Sequence, residues 1–517
     1  VDDTTKSCIP APPGPDAHAG ARVLFVTSEL FPLAKVGGLG DVSAALPVAL
    51  RTLGYDVRVL LPAYASVKDG VQHLEAGPAI RLPGFRMPAM LWRTALPGSG
   101  VPVYLLDVPE LFDRDGGPYS DAHGADWPDN ATRFLALARA ALEIGAGRAI
   151  PDWRPDLLHG NDWPSGYMHA LAAASPARLP SVFTVHNMAH QGLAPLPLLE
   201  QHALPARLGS TDGMEFYGQL SALKGGLAFA DEITTVSPTY ALEIQTPAFG
   251  CGLDGVARER AADITGILNG VDYDVWDPRV DPHLIANYGP DRLHEKGPNK
   301  AALRRLLRFE RDEDLPLIGF IGRLGHQKGV DLLLGALAGL ADRAEVVVLG
   351  TGDGAVESAL SAAADSHARV AVRLEQSEAL AHRIEAGADV LLMPSRFEPC
   401  GLNQMYSLRY GTVPIVSAVG GLRDTITDTS RQTLQSGEAT GFVFDELTQE
   451  RLDTAIDRAL EHFRDPFAWR QLQLTGMAKD FSWQRSARAY AAVYRNAFRR
   501  RAAAGLCRIV RIRGRRS

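Results

Sequence analysis

The sequence predicts an α/β protein built from two successive parallel-sheet lobes, and three observations carry that reading. Short apolar runs with β-branched residues alternate with loops and helical stretches, a rhythm that argues for parallel strands covered by helices. A polar, Pro- and Asp-rich stretch from Tyr273 to Asn299 interrupts the rhythm, which then starts afresh. The chain has 517 residues, 46% of them hydrophobic, enough for more than one sizeable core.

Residues 1–20 are rich in Pro, Gly, Ala and Asp without periodicity and read as a flexible extension. The first lobe is expected over 21–272. Arg22 to Ser28 is an apolar strand followed by a glycine-rich turn and a helical pattern from Asp41 to Thr52. Asp56 to Leu61, Val101 to Leu106, Leu157 to His159 and Val182 to Val185 read as further strands. Residues 273–299 are the expected linker and 300–482 the second lobe. There Leu317 to Ile321 leads through a loop to the helix Val330 to Leu340, and Glu345 to Leu349, Val370 to Leu374, Val390 to Met393 and Val413 to Ser417 follow as strands. A helix from Trp483 to Arg499 closes the pattern, and the Arg-rich run over 500–517 reads as a solvated tail, the usual meaning of an isolated charge run. Two successive lobes imply a deep cleft between them as the place for a ligand.

A formal charge of -7 and a pI near 6.1 leave no basic field of the kind a nucleic-acid binder carries, so any anion is held locally. Four scattered cysteines without a C-x-x-C pair fit neither a disulfide framework nor a thiolate zinc site, and point to a reducing, cytoplasmic compartment. Apolar stretches such as Leu332 to Ala341 fall short of the roughly 18 residues of a membrane span, and the first twenty residues lack the apolar core of a signal peptide.

The chemistry is concentrated in loops that follow strands. In Lys35-Val-Gly-Gly-Leu-Gly-Asp41 a glycine turn opens a helix, where unpaired N–H groups and the helix dipole favour an anion; Gly37 and Gly38 let the backbone come close and Lys35 adds a mobile charge. The same segment also suits a turn kept glycine-rich for packing. The second lobe repeats the idea in Gly322-Arg323-Leu-Gly-His-Gln-Lys328-Gly329, where Arg323 and Lys328 converge on a helix start. One cation at about 4 Å from a developing charge contributes roughly 4 kcal/mol at an effective dielectric near 20. The plain alternative is a surface Arg and Lys capping a loop. In Ser395-Arg-Phe-Glu-Pro-Cys-Gly-Leu-Asn403, Glu398 sits at a strand's C-terminal end, where a carboxylate accepts hydroxyl hydrogen bonds or satisfies a helix N-terminus. Cys400 reads as a small buried hydrophobe without a covalent role. His159-Gly-Asn-Asp-Trp163 and Phe183-Thr-Val-His-Asn187 bring Asp162 and His186 to strand ends. His186 and His190 have the spacing of a metal pair but lack the glutamate of an H-E-x-x-H motif, so no metal is expected.

Taken together, Lys35 to Asp41, His159 to Trp163, Thr184 to Asn187, Lys224-Gly-Gly-Leu to Thr239, Ile267-Leu-Asn-Gly-Val-Asp272, Arg323 to Gly329 and Pro394 to Leu402 resemble, in this order, the blocks of glycogen and starch synthases of the bacterial type. The resemblance covers nearly everything from Arg22 to Arg499. It implies a GT-B fold of two Rossmann-like lobes, with the C-terminal helix crossing back to the first. It also implies retaining transfer of α-glucose from ADP-glucose to the non-reducing 4-OH of an α-1,4-glucan, with no cofactor and no metal. By motif position, Lys35, Gly37 and Gly38 face the diphosphate and sugar, while Arg323 and Lys328 hold the leaving phosphates. Asp162, His186, Asn187, Asn269 and Gln327 line the donor site, and Glu398 with the backbone of Cys400, Gly401 and Leu402 binds sugar hydroxyls. Retention is expected by front-face attack, in which the departing phosphate takes the acceptor proton and the backbone carbonyl of His186 steadies the anomeric carbon, rather than through a carboxylate nucleophile. The loop departs from many bacterial members at Val36 and Gly40, and His190 stands where Tyr is common.

Two other readings stay open. The donor is UDP-glucose or the acceptor a small sugar on the same fold; or the chain is a non-catalytic glucan-binding or priming protein, which should have lost the phosphate cations or the acidic residue.

Overall fold

The computed structural model describes residues 20–71, 73–175, 178–309 and 315–513, with the side chains of 504–513 outside the description. The expected extension therefore lies outside the described residues apart from Gly20, as do the last four residues of the chain.

Eighteen strands organise the described chain. The first twelve are β1 (Arg22–Val26), β2 (Asp56–Pro62), β3 (Glu75–Ile80), β4 (Ala89–Ala95), β5 (Pro102–Asp107), β6 (Leu157–Asn161), β7 (Ser181–Val185), β8 (Leu193–Pro195), β9 (Glu215–Phe216), β10 (Gln219–Ser221), β11 (Glu232–Thr235) and β12 (Ile264–Gly266). The rest are β13 (Leu317–Ile321), β14 (Glu345–Leu349), β15 (Val370–Arg373), β16 (Val390–Met393), β17 (Val413–Ser417) and β18 (Phe442–Phe444). They form a nine-stranded sheet in the order β12-β11-β7-β6-β1-β2-β5-β4-β3, a small sheet β8-β10-β9, and a six-stranded sheet β15-β14-β13-β16-β17-β18.

The apolar runs become parallel strands because both faces are covered. β1 pairs in parallel with β2 and β6, and Val23 through Val26 are fully buried. The hairpin of β3 and β4 adds an antiparallel edge to the first sheet. The six-stranded sheet is parallel throughout, with Val346, Val348, Val390, Leu392 and Ile415 packed against Leu333, Leu337 and Leu340 of the helix Val330–Ala341.

Chain contacts divide the molecule into two compact units. One takes in described residues of 20–184, 190–233 and 487–513, the other residues 185–189 and 234–486. The stretch 273–299, expected as a linker, is packed into the second unit. Trp276 stacks between His382 (ring centroids 3.7 Å) and Tyr406 (3.9 Å), Tyr288 donates to the Tyr410 carbonyl at 2.8 Å, and the buried Lys296 ammonium donates to three carbonyls and to Thr412. The Arg-rich run expected as a tail is also corrected: the last helix spans Trp483–Arg513, so 500–513 is helical. Alanine and arginine are both good helix formers, and they continue the helix without an interruption. Within the first unit this helix offers the Tyr494 hydroxyl to His159, whose other ring nitrogen meets Thr184, at 2.8 and 2.7 Å.

In the six-stranded sheet the strand order relative to the chain is 3-2-1-4-5-6, the doubly wound order, and its direction reverses between β13 and β16. The first sheet reverses in the same way between β1 and β6. Ligands of such sheets bind beyond the C-terminal ends of the strands at the reversal, and the loops there carry the candidate residues.

Candidate active site

In the first unit, the chain leaves β1 through buried Thr27, Ser28 and Glu29 and returns over the glycine turn to the helix Gly38–Thr52. The amides of Val36 and Gly37 donate to Glu29 Oε2 at 2.7 and 2.9 Å. Tyr119 donates its hydroxyl to Glu29 Oε1 at 2.8 Å, which leaves the Ser28 hydroxyl to donate to the Tyr119 oxygen at 2.7 Å. Burial and the Glu29 charge raise the Tyr119 phenol well above its ordinary range. The two turn amides that sequence reasoning offered to an incoming phosphate are thus held by the protein's own carboxylate. A Cβ at Gly37 or Gly38 meets nothing within 4 Å, so packing does not require glycine there, and the space beside the backbone is open. Lys35 reaches over the Phe31 ring to Asp41 at 2.7 Å with its side chain 44% exposed. Asp162 begins the helix Asp162–Ala172 with φ 51°, a left-handed conformation that costs a non-glycine residue about 1 kcal/mol or more and clusters at functional sites.

The other ten candidates, His186, Asn187, Asn269, Arg323, Gln327, Lys328, Glu398, Cys400, Gly401 and Leu402, belong to the second unit. The loops after β13 and β16 are joined along their length. Arg396 donates its amide to the Gln327 carbonyl at 2.8 Å, Gln327 donates to the Phe397 carbonyl at 3.3 Å, and the Arg396 guanidinium clasps Asp331. Gly329, at φ 67°, lies so close to the second loop that a Cβ would fall 1.9 Å from the Pro394 carbonyl oxygen. This closure sets the Lys328 ammonium on Glu398 Oε2, with the Ser395 hydroxyl donating to the same oxygen at 3.3 Å. Arg323 is exposed and makes no ion pair with any described residue.

Beyond Glu398 the backbone is clamped from two sides. Ser237 donates to the Pro399 carbonyl at 2.6 Å, and Gly421 donates to the Glu398 carbonyl at 3.1 Å. A Cβ at Gly421 would lie 2.0 Å from the Cys400 carbonyl oxygen. Burial pushes the Cys400 thiol up to about 12, so it is protonated at neutral pH and no nucleophile. Gly401 turns at φ 72° into the helix Asn403–Tyr410, whose first turn has no side-chain cap. The backbone of Asn269 hydrogen-bonds Cys400, and its carboxamide oxygen is buried with no hydrogen-bond partner among the described residues. An orphaned buried acceptor costs about 1–3 kcal/mol, which a water or a ligand donor at this position would relieve. His186 follows β7, and burial pushes its imidazole down to about 3, so the ring is neutral. Asn187 accepts the Ala189 amide at 3.0 Å and holds the turn.

Sequence reasoning missed Glu29 and Tyr119. A carboxylate directly after a strand, seven and eight residues ahead of the amides it accepts, was the available signal for the first; Tyr119 had none.

Among the described residues these loops offer a guanidinium without a counter-ion, an ammonium poised on a carboxylate, an uncapped helix start and an unmet amide acceptor. Residues 22–259 match the family model described as starch synthase catalytic domain, and residues 307–469 match the one described as glycosyl transferases group 1. Fold and site thus define a glycosyltransferase of two doubly wound units. Glycogen synthase 1 of Methylococcus capsulatus is 50% identical over 92% of this chain and 96% of its own length, and glycogen synthase of Thioalkalivibrio sulfidiphilus is 49% identical over 92% and 99%. Among solved structures, the catalytic domain of starch synthase IV from Arabidopsis thaliana, bound to ADP and acarbose, superposes with a TM-score of 0.83 at 33% identity, covering 92% of this chain and 99% of that one. A sucrose-phosphate synthase from Thermosynechococcus elongatus (TM-score 0.57, 18% identity, covering 92% and 99%) shares the fold. The chain belongs to the glycogen and starch synthase family, and the GT-B fold expected from the resemblance holds. No helix among the described residues is long and apolar enough to cross a membrane.

Proposed function

We propose that the protein transfers α-glucose from ADP-glucose to the non-reducing 4-OH of an α-1,4-glucan, with retention. The observation that carries this reading is the cation arrangement at the sheet reversal of the second unit, where Arg323 has no counter-ion among the described residues and Lys328 rests on Glu398. Relatives named glycogen synthase, and a starch synthase structure bound to ADP and acarbose, support the choice of donor and acceptor. Arg323 and Lys328 hold the departing phosphates. The amides at Gly401 and Leu402 and the Glu398 carboxylate receive the sugar hydroxyls, and Asn269, Asn187 and Gln327 complete the donor-binding set of the second unit.

Charge accumulates on the diphosphate as its bond to glucose breaks, so cations fixed in advance stabilise the transition state more than the ground state. Glu398 is engaged by Lys328 and Ser395, which favours a hydroxyl ligand over a nucleophile. In a front-face reaction the leaving phosphate oxygen accepts the proton of the attacking 4-OH while the His186 carbonyl faces the positive anomeric carbon. The neutral imidazole adds no opposing charge there.

The test is ADP release and incorporation of labelled glucose into glycogen, run in parallel with ADP-glucose and UDP-glucose. Faster transfer from ADP-glucose is the expected result. No transfer from any nucleotide-glucose would overturn the proposal, and preference for UDP-glucose would keep the reaction but change the donor.

A further inference from the structure

The helix Pro238–Glu243 has only six residues, too few to hold together alone, yet side-chain bonds fix both its ends within the second unit. Ser237 caps it by accepting the Tyr240 amide at 3.1 Å, and Pro238 fills the first helical position, where its missing N–H is no loss. The cap is pressed into place, because a Cβ at Gly266 of β12 would fall 2.2 Å from the Ser237 carbonyl oxygen. Asp424 accepts the Thr239 amide and hydroxyl, each at 2.7 Å, and Glu243 Oε1 accepts the Gly420 amide at 2.9 Å. Gly420 turns at φ 41°, and a Cβ there would lie 2.1 Å from the Glu398 carbonyl oxygen.

Two hydroxyls of this short segment reach different loops of the candidate site. The Ser237 hydroxyl gives its one proton to the Pro399 carbonyl at 2.6 Å, directly after Glu398. The Tyr240 hydroxyl oxygen accepts the Met188 amide at 3.0 Å, two residues beyond His186. Just ahead of the helix, Thr235 donates to the carbonyl of Val185 at 2.7 Å, on the other side of His186. All three bonds are buried, where an unmet partner is costly. The His186 turn and the Glu398 loop, far apart in sequence, thus hang on one rigid part.

We infer that Ser237 and Tyr240 are positioning residues, which hold the His186 turn and the Glu398 loop at a fixed separation. The inference rests on the proposed reaction, in which the His186 carbonyl faces the anomeric carbon while Glu398 receives hydroxyls of the same hexose. Misplacing such groups by about 1 Å can cost on the order of a hundredfold in rate. Both side chains act through backbone, at Met188 and at Pro399.

The test compares the full chain with Ser237→Ala, Tyr240→Phe and the double variant. Thr448→Ala is the control, since it also removes a helix cap of the second unit, the acceptor of the Arg451 amide at 3.3 Å, and bonds to neither loop. Each hydroxyl deletion should lower kcat about tenfold and leave KM for ADP-glucose within about threefold. The double variant should also fall about tenfold rather than a hundredfold, because alignment lost from one side cannot be lost again from the other. Thr448→Ala should lower Tm as Ser237→Ala does and keep kcat within about twofold. Amide hydrogen exchange reads the link without substrate: either deletion should speed exchange in both 185–189 and 396–402. Losses in kcat that multiply to about a hundredfold, a kcat loss shared by Thr448→Ala, or faster exchange confined to the loop that lost its bond would each overturn the inference. A wild-type chain that transfers no glucose, while exchange still spreads between the loops in the variants, would sink the proposed reaction and leave the mechanical link standing.

Discussion

Replacing Lys328 with alanine separates the two things its ammonium does. In the folded protein it is hydrogen-bonded to Glu398, with the lysine side chain 24% and the glutamate 10% exposed. A unit charge at about 4 Å contributes roughly 4 kcal/mol at an effective dielectric near 20. The neighbouring carboxylate and residual solvent reduce this to about 2.7 kcal/mol in the transition state, on the order of a hundredfold in kcat. The same substitution leaves the Glu398 carboxylate with only the Ser395 hydroxyl on that oxygen, at a cost of about 1–3 kcal/mol of stability. The two losses are separable. Adding Glu398→Gln removes the orphaned charge, so the double variant recovers Tm, whereas kcat stays low because the cation is still missing. Initial rates of ADP formation and thermal unfolding of wild type, both single variants and the double variant make the cycle. A folded Lys328→Ala enzyme within threefold of wild-type kcat, or a double variant that regains turnover, would refute the reasoning.

Other outcomes follow from the same geometry. Glu29→Ala frees the Val36 and Gly37 amides and should raise KM for ADP-glucose about tenfold, while Glu29→Gln, which keeps an acceptor oxygen, stays within about threefold; equal KM values for both would remove Glu29 from loop positioning. In native protein at pH 7.5, iodoacetamide should label exposed Cys251 and spare Cys400, whose thiol burial keeps protonated, as read by peptide mass spectrometry; equal labelling would contradict the clamped loop. Burial holds the folded His186 imidazole at about 3, below the value of about 6.5 for a free histidine, so the unfolded chain binds a proton that the folded chain does not. Its contribution is complete above about pH 6.5 and declines by up to about 1.4 kcal/mol per pH unit on acidification. His186→Gln should therefore flatten the fall of Tm between pH 6.5 and 4, and an unaltered acid limb would speak against a neutral His186 ring in the folded chain.

The parallel strands were readable because each is a β-branched apolar run closed by a glycine or polar turn; Leu317–Ile321, Val390–Met393 and Val413–Ser417 match their expected spans. Strands of three residues or fewer, such as Leu193–Pro195, Glu215–Phe216 and Phe442–Phe444, carry too few residues for a period to register. The helix beyond Arg499 was hidden because a charge run has no amphipathic pattern, although its propensity is high. Candidate residues at strand ends were legible because topology alone puts chemistry there. Glu29 was not, since its role depends on the chain folding back over it, and the ion pair of Lys328 with Glu398 joins residues seventy positions apart.

The near-contact of Gly329 with the Pro394 carbonyl means that two segments distant in sequence behave as one mechanical part. Any displacement of the guanidinium-bearing turn drags the acidic loop along, so under the proposed function a grip on phosphate and a grip on hexose hydroxyls would tighten or slacken in concert. Under that proposal, altering the preferred sugar by editing the acidic loop alone would also disturb the hold on the leaving group, and a redesign has to recut both segments together.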